Sequence, residues 1–568
     1  MSQVDENVSA MLASSASGTT LMILVQLVSR LFTFSANQLI LRSLPPIVLG
    51  VATQLELYFI SILYFSRESI RLAIQRQPLQ STSAVTPGQD DDTDLACEKA
   101  KQTSEAQLVA SQSIVNMSYL SLGLGFLFAL VFAASYTHFA PNEVSEMPFY
   151  HASVVITTIA SLIELSVEPF FSIVQQYMLH KKRAVVEMSA AFVKSLITCL
   201  VFTWAARASH SVGVLPFALG YLCYSFALIC GYIIAFQDST LHWGFSMFPT
   251  RIKSSNRSSY LANRFSWPML SLSANVFLQS VIKHILTQGD SMMLATMTSL
   301  EDQGIYALAS NYGGLVARIL FQPIEESSRA LFSSLLNSDK AGRLSTKNIN
   351  AAKRHFVEIM QAYSMIGVVV FPLGPLLVPL GLHVLGGHNW VSPRVSSLLS
   401  LYCYYIPFLA FNGIGESFVS SAANSVELRQ QAVWMGVFSA CFTLAAYLFL
   451  EVGRLGAHGV VYANIVNMAV RTVWSFTFIR SFLNRYKIGL VLAELSPRPQ
   501  TCIAGVLMSV LLFISGAYNP DYNHIGEAFV HGASYIILVS YLERRNVMIY
   551  YTKASHMVRS RTPKFKGE

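Results

Sequence analysis

Charged side chains inside apolar segments are the residues of this sequence most able to do chemistry. The stretch Lys283–Arg329 carries Asn311 and Arg318 within an apolar segment. It ends on a charged cluster of Glu325, Glu326 and Arg329. A charge at the centre of a bilayer costs roughly 2.5–3.5 kcal/mol on insertion scales, so it needs a partner, a water-filled cavity or a function. These charges therefore need an explanation if the chain spans a membrane.

The same pattern occurs earlier, in Thr33–Arg71, which suggests an internal repeat. Thr33 and Gly50 precede Thr287 and Gly304 by 254 positions. The endings of the two stretches match at an offset of 258 positions, which pairs Glu68, Ser69 and Arg71 with Glu326, Ser327 and Arg329. The four extra residues correspond to about one helical turn. Two halves repeated in the same orientation are typical of transporters.

Composition identifies a polytopic membrane protein. The chain has 568 residues, of which 53% are hydrophobic and 12% are charged, whereas soluble domains carry about 25% charged residues. The apolar segments predict fourteen transmembrane helices of about 20 residues or more. The seven cysteines include no CxxC spacing and indicate neither a disulfide framework nor a metal site.

Loop charge predicts the orientation of the chain. The predicted loops on one side, together with the C-terminal tail, hold 28 Lys and Arg residues, and the loops on the other side hold 4. By the positive-inside rule both termini are expected in the cytosol. Met1–Thr20 lacks the basic start of a cleavable signal peptide. The net charge of +8 thus reflects membrane orientation and predicts no nucleic-acid partner.

The predicted fold is an all-α membrane protein with fourteen helices in two pseudo-symmetric bundles around a central cavity. Residues 1–236 form the N-terminal bundle, which contains a disordered acidic loop at 77–107. A cytosolic linker covers 237–258, and the C-terminal bundle covers 259–479. Residues 480–568 add two helices and a basic cytosolic tail. Pro169, with Glu164 and Glu168, predicts a break in the fourth helix.

Basic residues in or next to the predicted spans suggest a function for the cavity. Seven of them remain after the loops are assigned: Arg30, Lys194, Arg264, Lys283, Arg318, Arg329 and Arg471. An excess of cationic groups in a wet cavity suits an anionic headgroup, because arginine matches phosphate with two hydrogen bonds. The alternative is a set of ion pairs that dock helices against each other.

The ends of the repeated helices predict a gate on the cytosolic side. Glu68 and Arg71, like Glu326 and Arg329, are three residues apart and share one helical face. Arg67 and Glu325 precede these pairs. Related positions of two pseudo-symmetric halves would meet across the axis, so crossed ion pairs could close the cytosolic side.

An enzymatic function is the weaker class. No GxxxxGK[ST] phosphate-binding loop, no His/Cys metal-ligand spacing and no nucleophile motif is present. The first predicted lumenal loop, Ser43–Pro46, is too short for the acidic motif of a lipid-sugar glycosyltransferase. No metal or cofactor is therefore expected.

The segments NQLILRSLPPIVLGVATQLEL, YFSRESIRLA and QGIYALASNYGGLVARILFQPIEESSR closely resemble the Rft-type family of the endoplasmic reticulum. This family belongs to the multidrug/oligosaccharidyl-lipid/polysaccharide exporter superfamily. The resemblance implies translocation of the dolichol-diphosphate-linked heptasaccharide, five mannoses on two N-acetylglucosamines, from the cytosolic to the lumenal leaflet for N-glycosylation. On this reading the protein lies in the endoplasmic reticulum membrane and contacts membrane lipids.

Candidate residues for the headgroup follow from that cargo. The positive candidates are Arg30, Arg42, Arg264, Lys283 and Arg318, and the polar ones are Asn311 and Asp290. Two other functions stay open. One is a non-transporting chaperone or scaffold for other membrane proteins of the N-glycosylation machinery. The other is an ion-coupled small-molecule antiporter that uses Glu164, Glu168 or Asp290 as the coupling carboxylate.

Overall fold

The computed structural model describes residues 38, 40–42, 44–75, 93–177, 179–208, 211–237, 245–252, 260–336, 345–387, 390–518, 525–544 and 548. Arg30 lies outside these ranges. The chain forms two compact units, Met1–Met292 and Met293–Glu568. The boundary falls inside a helix, whereas the sequence predicted it in the linker 237–258.

Helices make up nearly all of the described part of the first unit. They are α1 Pro46–Gln75, α2 Thr93–His138, α3 Asn142–Ser145, α4 Tyr150–Leu165, α5 Glu168–Gln176, α6 His180–Arg207, α7 Leu215–Gln237 and the greater part of α8 Trp267–Met297. A short hairpin of β1 Tyr260–Leu261 and β2 Phe265–Ser266 precedes α8. The helix α2 packs against α1, α4 and α5, and α7 packs against α4 and α6.

The second unit has its own helical core. Its helices are α9 Leu300–Val316, α10 Gln322–Leu335, α11 Thr346–Gly381, α12 Pro393–Ala422, α13 Ser425–Tyr447, α14 Ala457–Arg485, α15 Pro499–Ile514 and α16 Ile525–Leu542. The helix α12 is central, because α9, α10, α11 and α14 all pack against it. Phe332, Phe356, Phe418 and Phe482 meet in its buried core.

Membrane-spanning character is evident in the helices. Within the described part of the chain, eight helices are long and apolar enough to cross a membrane, or nine if the bent helix α8 is one span. Large apolar side chains such as Phe126, Trp204, Phe226 and Leu444 are exposed on them, as expected of surfaces that face lipid. The protein is therefore a multi-pass membrane protein.

Proline has different effects at different places in this fold. The predicted break in the fourth span is confirmed, since α4 ends at Leu165 and α5 begins at Glu168 with Pro169 in its first turn. By contrast, α11 continues through its three internal prolines. Pro323 at the start of α10 follows a π-helical turn, Ala317–Phe321, because proline cannot donate the next helical hydrogen bond.

Two predicted boundaries are corrected by the structure. The acidic segment 77–107 was expected to be disordered throughout, yet α2 begins at Thr93. The span predicted from residue 259 begins at Trp267, after the β-hairpin. Pro268 suits the first turn of a helix, and Ala262 and Asn263 form the preceding turn with positive φ angles of 54° and 55°. Arg264 therefore lies in a hairpin rather than inside a span.

Candidate functional site

A cluster of ion pairs joins α1 to the broken helix α4–α5 in the first unit. Nη1 of Arg67 lies 2.7 Å from Oε1 of Glu164 and 3.2 Å from Oε1 of Glu168. Arg71 binds Glu168 through two nitrogens, with Nε 2.8 Å from Oε2 and Nη2 2.5 Å from Oε1. Both carboxylates are buried. The arrangement docks α1 against α4–α5 with paired charges.

Helical spacing explains why these four residues meet. Arg67 and Arg71 are four positions apart on one face of α1, and Glu164 and Glu168 are four positions apart across the break. Arg71 also lies over the ring of Phe171, with 3.7 Å from Cζ to the ring centroid. Cation–π contact and bidentate pairing together fix the guanidinium. Two of the three carboxylates named for ion coupling, Glu164 and Glu168, thus dock helices in this structure.

Glu68 and Arg71, which were expected to act together, turn to different partners. Lys283 on α8 lies 3.3 Å from Glu68, and its side chain is largely exposed. The next residue, His284, is buried and lies 2.9 Å from Oγ of Ser61. Lys283 was predicted to bind an anionic headgroup, and in this structure it pairs with the Glu68 carboxylate. The residues 283–284 thereby attach α8 to α1 inside the first unit.

Asn116 on α2 binds the backbone of the segment that precedes α8. Its Nδ2 donates to the backbone oxygens of Thr250 and Arg264, each at 2.8 Å, and its Oδ1 accepts from the backbone N–H of Thr250. Gln112, one turn earlier, accepts from the backbone N–H of Ser246. Asn116 is fully buried. Arg264 is thus fixed by its main chain while its side chain stays exposed.

The other predicted headgroup residues are spread over several elements. Arg42 is exposed in the helical residues 40–42, and Asn311 is exposed on α9. Asp290 lies on α8 and accepts from the backbone N–H of Ser291 at 2.8 Å. Arg318 falls in the π-helical turn, and its side chain lies outside the described part. Of these candidates, Lys283 meets a predicted gate residue, Glu68.

An open cavity of about 420 Å³ lies within the second unit, between α10, α12 and α14. Two helix faces supply most of its wall, because positions 322, 325, 326 and 329 on α10 and 409, 412, 413 and 416 on α12 both follow helical spacing. Its polar side chains are Gln322, Glu325, Glu326, Arg329, Asn412 and Glu416. Three predicted gate residues therefore line this cavity.

Acceptors outnumber donors in the cavity wall. Three carboxylates face one guanidinium, that of Arg329. Arg471 on α14 pairs with Glu416, and the amide of Gln322 donates to Glu326 at 2.9 Å. An added Cβ at Gly413 would overlap the Glu325 carboxylate, so glycine lets this carboxylate lie against the backbone of α12. The cavity presents a surface rich in oxygen acceptors.

Asn412 lines the cavity and carries an unsatisfied acceptor atom. Asn412 is 7% exposed, and its Oδ1 has no hydrogen-bond partner among the described residues. Leaving a buried polar atom unpaired costs about 1–3 kcal/mol. A structure tolerates such a cost when a ligand or water supplies the missing donor.

Sequence reasoning missed Asn412 and Gly413 and treated Glu416 only as a charge within a span. The spacing Asn412-Gly413-x-x-Glu416 is visible in the sequence and places all three on one helical face. Its opposition to the α10 residues depends on helix packing, which the sequence does not reveal. Within the described ranges, no cluster of three or more His, Cys, Asp or Glu could hold a metal ion.

Comparison with solved structures establishes the fold. The lipid II flippase MurJ in an inward closed conformation has a TM-score of 0.56 and 12% identity, covering 93% of this chain and 100% of that chain. An inward-facing multidrug resistance MATE family transporter of the MOP superfamily has a TM-score of 0.53 and 12% identity, covering 80% and 95%. At this identity the likeness establishes the fold, which is that of these membrane transporters.

Sequence comparison identifies the family. Residues 14–553 match the Rft protein family, so the chain belongs to it. The Yarrowia lipolytica relative, named Man(5)GlcNAc(2)-PP-dolichol translocation protein RFT1, is 33% identical to this chain, over 84% of this chain and 71% of that protein. The relative of that name in Candida albicans is 28% identical over 94% of each chain, and that in Mus musculus is 26% identical over 89% and 87%. The resemblance seen in the sequence is confirmed.

Proposed function

We propose that this chain translocates Man(5)GlcNAc(2)-PP-dolichol from the cytosolic to the lumenal leaflet of the endoplasmic reticulum membrane for protein N-glycosylation. The observation that carries the proposal is the family match over residues 14–553. Relatives from yeasts to mouse, 26–33% identical to this chain, bear the name of that translocation. The reaction forms and breaks no covalent bond, so the protein acts as a transporter and not as an enzyme.

The proposed architecture has fourteen transmembrane helices in two related bundles, with both termini in the cytosol. It rests on the excess of basic residues in alternate loops and on the repeat at 254–258 positions. A cavity between the bundles would carry the diphosphate while the dolichol tail stays in the bilayer. We assign contact with the diphosphate to Arg30, Arg42, Arg264, Lys283 and Arg318, with Asn311 and Asp290 as polar neighbours.

Gating is proposed for the charged ends of the repeated helices, namely Arg67, Glu68, Arg71, Glu325, Glu326 and Arg329. The contacts inside each unit refine this proposal. Arg67 and Arg71 are already held by Glu164 and Glu168, so they fix α1 against α4–α5 within the first unit. The α10 carboxylates border an open cavity and have room to change partners.

The decisive experiment uses the purified full-length chain in liposomes with the labelled diphosphate lipid. Translocation is followed by the fraction of glycan that added lectin can reach. Wild-type protein should equilibrate the lipid, and the double variant Arg264→Gln/Lys283→Gln should slow it at least tenfold. Arg485→Gln is the matched control, because Arg485 is an exposed cation paired with Glu427 at 2.6 Å. It should retain full rate.

The alternative functions predict different results in the same liposomes. An accessory protein for other N-glycosylation membrane proteins would leave the lipid in place, although the protein is folded. An ion-coupled antiporter would require a proton or sodium gradient. Either result would contradict the proposal that this chain alone moves the lipid without such a gradient.

A further inference from the structure

The acidic cavity of the second unit is chemically unsuited to the diphosphate. Its wall carries Glu325, Glu326 and Glu416 against the single guanidinium of Arg329. Even with Arg471, which pairs with Glu416, carboxylates outnumber cations. A diphosphate is an anion and an acceptor of hydrogen bonds, so it would meet like charge and unpaired acceptors there. The occupant must instead supply donors.

Three observations narrow the chemistry of that occupant. Two donors at or beside the wall are engaged, because Gln322 donates to Glu326 and Arg471 to Glu416. Oδ1 of the buried Asn412 has no described partner. The described residues contain no three-ligand metal cluster. The wall also includes apolar side chains, namely Phe321, Leu409 and Met468. A neutral ligand with many hydroxyl groups and apolar ring faces fits this combination.

We propose that this cavity binds hexose units of a glycan through their hydroxyl groups. Ionised carboxylates accept hydrogen bonds only, so Glu325 and Glu416 can each receive sugar hydroxyls through free lone pairs. Asn412 lines the same wall and holds one more acceptor in Oδ1, which is buried and has no partner among the described residues. The volume of about 420 Å³ lies at the small end of the usual range for ligand pockets, so the cavity holds a part of the glycan rather than a whole heptasaccharide.

This assignment gives the diphosphate and the sugar of the lipid to different parts of the protein. The identity of the glycan rests on the proposed function. The basic residues hold the diphosphate, and the α10–α12 cavity holds sugar. The loop charges place the C-terminal end of α10 toward the cytosol, where the glycan of the incoming lipid lies. At the matching junction of the first unit, Arg67 and Arg71 instead bind the carboxylates of α4–α5.

The test measures binding of the free heptasaccharide, without lipid or phosphate, to the full-length chain in lipid nanodiscs by saturation-transfer NMR or calorimetry. Asn412→Leu should weaken binding at least tenfold and leave the melting temperature unchanged or higher, because Oδ1 makes no hydrogen bond to the described protein. Glu325→Gln should also weaken binding. The matched control is Glu451→Gln, an exposed carboxylate outside the cavity, which should bind as the wild type does.

Competition identifies the ligand class. Inorganic pyrophosphate should not displace the glycan, and replacing sodium by choline should not change its affinity. The inference is overturned if wild-type protein does not bind the free glycan, if pyrophosphate competes, if only sodium binds, or if Asn412→Leu binds normally. Translocation is measured in parallel. If the protein binds the glycan but does not move the lipid, the proposed function is wrong and the sugar-binding inference stands. If it moves the lipid but the cavity variants bind glycan normally, the sugar-binding inference is wrong and the proposed function stands.

Discussion

Arg67 donates from Nη1 to Oε1 of Glu164 at 2.7 Å, although the two residues are 97 positions apart in the chain. The bond crosses from α1 to the end of α4, where the helix breaks. In the repeat, Glu325 occupies the place that corresponds to Arg67, and there it lies against Gly413 on α12. One junction is therefore closed by opposite charges, while the related one is open and acidic.

Removing Arg67 should destabilise the protein, because Glu164 would lose its partner in a buried position. The side chains are 20% and 7% exposed. Breaking a buried pair costs about 3–5 kcal/mol, and we expect Arg67→Ala to lie at the lower end. Thermal unfolding in detergent measures the effect.

A second substitution tests the cause of that loss. Glu164→Ala in the Arg67→Ala background should recover part of the stability, since no unpaired charge remains. Glu187→Ala removes a partly exposed i,i+4 pair with Arg183 and should cost about 0.5 kcal/mol or less. If Arg67→Ala has the same melting temperature as the wild type, the ion pairs do not stabilise the packing of α1 against α4–α5.

Gly413→Ala should displace Glu325 and impair translocation, because a Cβ would overlap that carboxylate. We expect a destabilisation of about 1–3 kcal/mol and loss of glycan binding. Gly436→Ala on α13 is the control, since a Cβ there meets nothing within 4 Å. It should leave both properties intact and change stability by about 1 kcal/mol or less. Equal behaviour of the two variants would refute the close approach.

Asn116 should carry no glycan, although Asn116-Met-Ser matches the acceptor pattern. Its side chain is buried and uses both ends in hydrogen bonds to residues 250 and 264. Endoglycosidase should therefore leave the gel mobility unchanged. Asn7 and Asn256, the other two matches, lie outside the described residues.

Asn116→Ala should destabilise the protein by about 2–4 kcal/mol, at roughly 0.5–1.5 kcal/mol for each lost hydrogen bond. Thermal unfolding and protease cleavage within residues 245–266 are the measurements. The exposed Asn142→Ala should have little effect on either. A stable Asn116→Ala variant would show that the segment is held by other contacts.

The predicted orientation can be checked with glycosylation acceptors. An acceptor with a flexible spacer inserted after Pro141 should be glycosylated, because the loop 139–149 falls on the side poor in Lys and Arg. The same acceptor fused after Glu568 should remain unmodified. The opposite pattern would invert the topology, and modification at both sites would mean an odd number of spans.

Much of the fold can be read from the sequence because its causes are local. Long apolar segments with few charges must be helices in a bilayer, since only internal hydrogen bonds satisfy the backbone there. Proline cannot donate a backbone hydrogen bond, so Pro169 marked the break before α5. The repeat and the family resemblance also rest on residue order alone.

The partners of the charged residues were decided by the tertiary structure. The sequence places Arg71 on the same face as Glu68, but packing of α1 against α5 turns Arg71 to Glu168, and α8 brings Lys283 to Glu68. The acidic cavity likewise exists only because α10 and α12 pack with matching faces. Ion pairing depends on distances in space, and helices 97 positions or more apart in the chain become neighbours only when the whole unit folds.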